Sequence, residues 1–217
     1  MIVKQIPVFI SLLIISCTRS EKGVESINIT NAGSTSLSPK DYVNWVKDNK
    51  NGLKKDKKIE DLIFTVQYKP IDYVICMEER SDEIADSTIK KKTKELEGME
   101  YIDFKIEVAS GQGELLKHNL SDRAEYKDRV NYFAYKMQQD IQLVEGLDTI
   151  PCSLSHFERA YDVAPYSSFV LGFASNPSYK GNKTFVYHDQ IFKKGIIQFE
   201  FQEKDFQSIP KLETNEK

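Results

Sequence analysis

The side chains with the widest chemical range in this sequence are three cysteines and three histidines. Cys76 and Cys152 could close a disulfide in an oxidising compartment, a bridge contributing ~3–5 kcal/mol in the chain-entropy model. The alternative is two separate buried thiols, and Cys76 amid Val74, Ile75 and Met77 suits a small apolar filler. No CxxC spacing is present, so neither a zinc ribbon nor a thioredoxin-like pair is indicated. Cys152 beside a histidine would be a thiol nucleophile with its base. His156 and Glu158 lie two apart and share one face of a predicted strand, while His188 and Asp189 end another strand that could be its neighbour. His156, Glu158 and His188 could thus form a hydrolase or metal centre. There is no HExxH or H-x-H spacing, however, and Arg159 alongside would oppose a cation. The expectation is therefore no metal, no cofactor and no assigned catalytic residue, with Glu158 and Arg159 forming a pairing network within the sheet.

Other motifs are weaker. Gly111-Gln112-Gly113-Glu114 lacks the third glycine of a dinucleotide loop and the Lys-Ser/Thr of a P-loop, so it reads as a turn. No GxSxG elbow occurs. The lysines from Lys47 to Lys58 could attract anionic headgroups, but Asp48, Asp56 and Glu60 dilute them and favour a solvated connection. A net charge of −3 over 217 residues argues against nucleic acid as a partner.

The N-terminus carries an address. Lys4 is the only charged side chain before Arg19, and residues 6–15 are almost wholly apolar. Such a run is too short to span a bilayer, which takes ~20 residues, and reads as a secretory signal. Ile14-Ile15-Ser16-Cys17 resembles the lipobox of bacterial lipoproteins. That resemblance implies cleavage after residue 16, a diacylglycerol thioether on Cys17 and membrane attachment through the lipid. Two or three acyl chains hold almost permanently, at ~0.8 kcal/mol per buried methylene. Residues 17–37 then read as the lipidated cysteine and a flexible tether of roughly 25 Å reach. No Asp follows Cys17, which in the enterobacterial sorting pattern favours the outer membrane.

The elements that must position the candidate residues can be read from periodicity. Ser38-Pro39-Lys40-Asp41 is a helix start, with a serine cap and proline at the first helical position. Leu62, Phe64, Val66 and Tyr68 alternate as a strand, as do Ile102, Phe104, Ile106 and Val108. Ile71–Met77 fits a short helix or a strand equally well. Charge dominates from Glu78 to Glu100, the pattern of a solvated helix with Asp86/Lys90 and Lys91/Glu95 at i,i+4. Tyr126, Val130, Phe133 and Met137 form one helical stripe behind Ser121-Asp122. After Gln139, five short strands follow, separated by turn residues. The prediction is one α+β domain over residues 38–212, with helices mainly in its first half, an antiparallel meander in its second, and a tail at 213–217.

Several strings look familiar together: Val66-Gln67-Tyr68-Lys69-Pro70, Arg129-Val130-Asn131-Tyr132-Phe133, Asp148-Thr149-Ile150-Pro151-Cys152 and His156-Phe157-Glu158-Arg159. With Ala164-Pro165-Tyr166 they resemble a group of uncharacterised Bacteroidota lipoproteins, over about residues 37–212. The resemblance implies an envelope address, an envelope protein as partner, and no particular activity. Asp86-Ser87-Thr88 and Asp148-Thr149-Ile150 match the acceptor pattern for O-glycans in exported proteins of such bacteria, which would place glycans on Ser87 and Thr149. Tyr161, Tyr166 and Tyr179 are candidates for a glycan-binding surface. The leading expectation is a lipid-anchored binding or accessory component, with the hydrolase and the glycan binder as alternatives.

Overall fold

The computed structural model describes residues 36–215, apart from 160, 162 and 175. The expected signal segment, Cys17 and the expected tether up to residue 35 lie outside the described residues. Among the described residues, no helix is long and apolar enough to cross a membrane.

The first half supplies most of the helix. Ser38 caps α1 (Pro39–Lys47) by accepting a hydrogen bond from the Asp41 amide at 3.3 Å. Then come β2 (Lys54–Ile59), β3 (Leu62–Lys69), α2 (Ile71–Glu79), α3 (Asp86–Leu96) and β4 (Met99–Val108). The ambiguous Ile71–Met77 segment is helical because Pro70 leads into it, and the turn spacing lets Tyr73 and Cys76 bury together. In α3 no side chain is fully buried, and the Asp86–Lys90 pair closes at 2.5 Å as the i,i+4 spacing predicts. Asp122 caps α4 (Arg123–Tyr135), accepting from the Glu125 amide at 2.9 Å.

The second half contributes β5 (Ile141–Glu145), β6 (Asp148–Glu158), β7 (Tyr166–Ala174), β8 (Lys183–Asp189) and β9 (Gly195–Phe201). A short helix α5 (Glu203–Gln207) follows, and β1 (Ser36–Leu37) pairs in parallel with β10 (Lys211–Leu212). The large sheet is antiparallel throughout, in the order β2-β3-β4-β7-β6-β5-β8-β9. The predicted α+β class and helices-then-meander order hold. β6 changes partner along its length: Pro151 faces Gln142 of β5, while Cys152 onward faces β7, with a register shift between Cys152 and Leu154. Such a bulge bends the strand, and proline is tolerated where a ladder ends.

The lysine-rich span Lys54–Lys58 is a strand and not a connection. Its register opposite β3, Lys54 against Gln67 through Ile59 against Leu62, overrides the poor strand propensity of lysine. The sheet curls so that β2 faces the other edge strand, β9. Lys57 Nζ donates to the Gln198 carbonyl at 2.9 Å and sits 5.5 Å from the Phe199 ring. Lys55 reaches Asp205 at 3.4 Å. Edge lysines that guard an open sheet against pairing here also bridge its two edges.

Inside the curl, Phe104 contacts Phe185 and Tyr187 at 5.1 and 5.2 Å between ring centroids. Phe133 of α4 joins through Phe169 at 5.3 Å. A second apolar cluster joins α1 and α2 through Tyr42, Val46, Tyr73, Ile75 and Cys76. Tyr68 and Phe206 pack against both clusters. Cys76 belongs to the second cluster and Cys152 to the first, and both are free buried thiols. The candidate disulfide is therefore not formed, because the fold assigns each thiol to its own core.

The domain reaches past the predicted limits at both ends. Ser36 and Leu37, expected in the tether, pair with Lys211 and Leu212. The tail is tied back as well: the Asn215 amide donates to the Ile84 carbonyl at 3.1 Å, and the Asp86 amide donates to the Asn215 carbonyl at 3.1 Å.

Candidate functional site

The residues singled out in the sequence do not converge. His156 and Glu158 lie on the exposed face of β6, as the alternation requires. His188 is on β8, and β5 runs between the two strands. Two inter-strand spacings of ~4.8 Å therefore separate the strands even before β6 bends away. Among the described residues, no group of three His, Cys, Asp or Glu could hold a metal ion. Glu158 does not pair with Arg159 inside the sheet, because β6 ends at Glu158 and Arg159 lies beyond it. Arg159 instead hydrogen-bonds the Tyr126 hydroxyl and lies 4.6 Å from the Tyr161 ring.

Cys152 lines a cavity of about 430 Å³ with Gln138, Gln142 and Thr149, a lining that contains no histidine. Its Sγ donates to the Leu154 carbonyl at 3.0 Å, and burial pushes the thiol up to about 11. Burial raises Cys76 to about 11 as well. Neither is a thiolate near neutral pH, the form a nucleophile needs. Ser87 and Thr149 are both exposed, at the starts of α3 and β6. Tyr161 and Tyr166 are exposed around the β6–β7 turn. Tyr179 lies beyond the other end of β7, about 30 Å of strand away, so the three rings make no common platform.

A different site emerges where the two apolar clusters meet. A cleft of about 630 Å³ is walled by Tyr42 of α1, Tyr68 of β3, Ile71 and Asp72 of α2, and Phe206 of α5. The β7–β8 turn closes one side with Tyr179 and Gly181. An ideal Cβ at Gly181 would stand 2.6 Å from the Tyr179 hydroxyl, so glycine lets the ring lie across the turn. That hydroxyl donates to the Asn182 carbonyl at 2.8 Å.

The floor of the cleft is charged. Lys183 opens β8 with its side chain only 8% exposed. Its ammonium is bonded to Glu100 of β4 and lies 2.7 Å from Glu145 Oε1 of β5, the latter without hydrogen-bond alignment. Glu145 and Lys183 are direct cross-strand partners, the arrangement in which opposite charges support a sheet. Glu100 also accepts from the Tyr68 hydroxyl at 3.2 Å. Burial and then the Glu100 charge hold that phenol well above its ordinary value. The floor is a phenol and an ammonium shared between two carboxylates. Bonded in this way, Lys183 is a structural ion and not a free amine nucleophile.

No protein-family model, curated protein or solved structure matches this chain. Its function must be read from its own residues.

Nothing local in the sequence announces this cleft. Lys183 follows an ordinary Gly-Asn turn, and Glu100 stands 83 positions away. Only the pairing of β5 with β8, which periodicity does not specify, brings Glu145 opposite Lys183.

A second polar cluster lies at the sheet seam. His118 Nε2 is 2.6 Å from Asp61 Oδ2, and Lys194 Nζ is 3.1 Å from Asp61 Oδ1. These contacts, His118 first, hold the Asp61 carboxyl well below the usual carboxylate range. Arg129 beside them is buried, donating to the His118 carbonyl at 2.6 Å and to Glu125 at 2.6 Å. The cavity here measures only about 230 Å³, and its charges are spent on tying the β2–β3 turn to the β8–β9 turn.

Proposed function

We propose that this chain is a lipid-anchored binding component of a bacterial cell envelope, accessory to an envelope assembly, which holds its ligand in the cleft above Lys183. The observation that carries the binding reading is the cleft itself. It has the size of a small-molecule site, apolar walls and a few fixed polar groups, the combination that binds rather than merely packs. Attachment through Cys17 rests on the lipobox, and the absence of Asp after it favours the outer membrane.

The test is a screen of apolar, cationic, anionic and neutral polar fragments against the mature chain in micelles, read by amide chemical shifts. Shifts should concentrate at Tyr68, Ile71, Gly181 and Phe206. Shifts scattered over the surface, or none with any fragment class, would remove the reading.

A further inference from the structure

The charge balance around the cleft is uneven. Asp72, in the first turn of α2, is half-buried in the wall and has no hydrogen bond or ion pair among the described residues. Burial raises its pKa, which is the mark of a carboxylate lacking a compensating cation. Beside it stands Tyr42, wholly buried, whose hydroxyl has no hydrogen-bond partner. Orphaned hydroxyls in a native interior are rare, and each calls for an explanation. Behind the wall, Glu145 leaves its Oε2 without a partner too. Glu100 and Glu145 thus share the ammonium of Lys183, and Asp72 pairs with no cation among the described residues. At the rim, Lys180 and Glu203 are both exposed and opposite in charge.

An anion entering this cleft would find Lys183 already engaged and would meet uncompensated carboxylate. A neutral apolar ligand would leave Asp72 and the Tyr42 hydroxyl unsatisfied under its cover, at a cost. A cation supplies what is missing. We infer that the cleft takes a primary organic ammonium with an apolar body, its charge set against Asp72 and the Tyr42 hydroxyl. The ammonium donates to the carboxylate and to the phenol oxygen, each of which accepts. The body lies against Tyr68, Ile71 and Phe206, and the aromatic faces add attraction for the charge. This inference rests on the cleft being the binding site and adds the class of ligand.

Three probes with closely similar bodies and different charge test it: 2-phenylethylammonium, 2-phenylethanol and 3-phenylpropanoate, titrated calorimetrically into the mature protein. The ammonium should bind about tenfold more tightly than the alcohol, and the carboxylate should bind least. Asp72→Asn keeps the shape and removes the charge, so it should abolish the preference for ammonium over alcohol. Tyr42→Phe should weaken the ammonium by about threefold. Equal affinities for ammonium and alcohol, or an Asp72→Asn variant that retains the preference, would overturn the inference. If other fragments shift the cleft amides and the ammonium does not, the ligand class fails while the binding site stands. If no fragment of any class binds there, both fall.

Discussion

Lys183 concentrates the tension of this fold in one side chain, since two buried carboxylates depend on it. Removing one partner of such a group leaves uncompensated charge in the interior, a loss of ~3–5 kcal/mol. Lys183→Met should therefore lower the unfolding free energy by about that amount in a denaturant titration. An unchanged midpoint would mean that Glu100 and Glu145 are not held by the ammonium. Asp61 makes the opposite case, a partly exposed carboxylate whose pKa is depressed by His118 and Lys194. Its contribution is present above the unfolded value of ~3.9 and is lost as pH falls below it. Asp61→Asn should destabilise the protein at pH 7 and flatten the loss of stability through the acid range below about pH 5, as followed by thermal melts. A slope identical to wild type would contradict the assignment. Neither group was legible in the sequence, where the histidines that drew attention were His156 and His188. Local spacing flags side chains that share a strand, whereas His118–Asp61 and Lys183–Glu100 are joined by pairing across the fold.

The elements were far more legible than the contacts between them. Alternation located β3 and β4, the Ser38 cap located α1, and the stripe behind Asp122 located α4, because each pattern records burial along one face. β2 escaped because its lysines follow no apolar alternation, and the register that makes them a strand lies in β3. Gly52 shows how close the packing between elements is. It has φ +77°, and an ideal Cβ there would fall 2.3 Å from the Asp205 side chain that caps α5. Gly98 has φ +85° with open space around its Cβ, so it isolates the conformational part of the cost. Gly52→Ala should destabilise by about 1–3 kcal/mol beyond Gly98→Ala, the cost of overpacking against Asp205, read from paired urea titrations. Equal losses would show that Asp205 yields freely.

At the scale of the whole molecule, the proposed anchor and the proposed binding cleft lie in different parts of the chain. The proposed address lies in residues 1–17, where Cys17 behind an apolar run resembles a lipobox, and it rests on the sequence alone. Cys17→Ala should abolish lipid labelling and move the protein from the membrane to the soluble envelope fraction; unchanged sedimentation with membranes would contradict the anchor. The proposed binding cleft has the reverse character, since Tyr42, Asp72, Glu100, Lys183 and Phe206 come from five different elements. Such a site is visible only after β8 has been laid beside β5 and α5 folded over Tyr68. The most direct test of the central claim, that this cleft is occupied in its native setting, is native mass spectrometry of the protein isolated from its own envelope. The wild type should carry a non-covalent small molecule that Ile209→Trp, filling the cleft with melting unchanged, does not retain. Identical spectra for the two proteins, with no bound species or the same one, would contradict it.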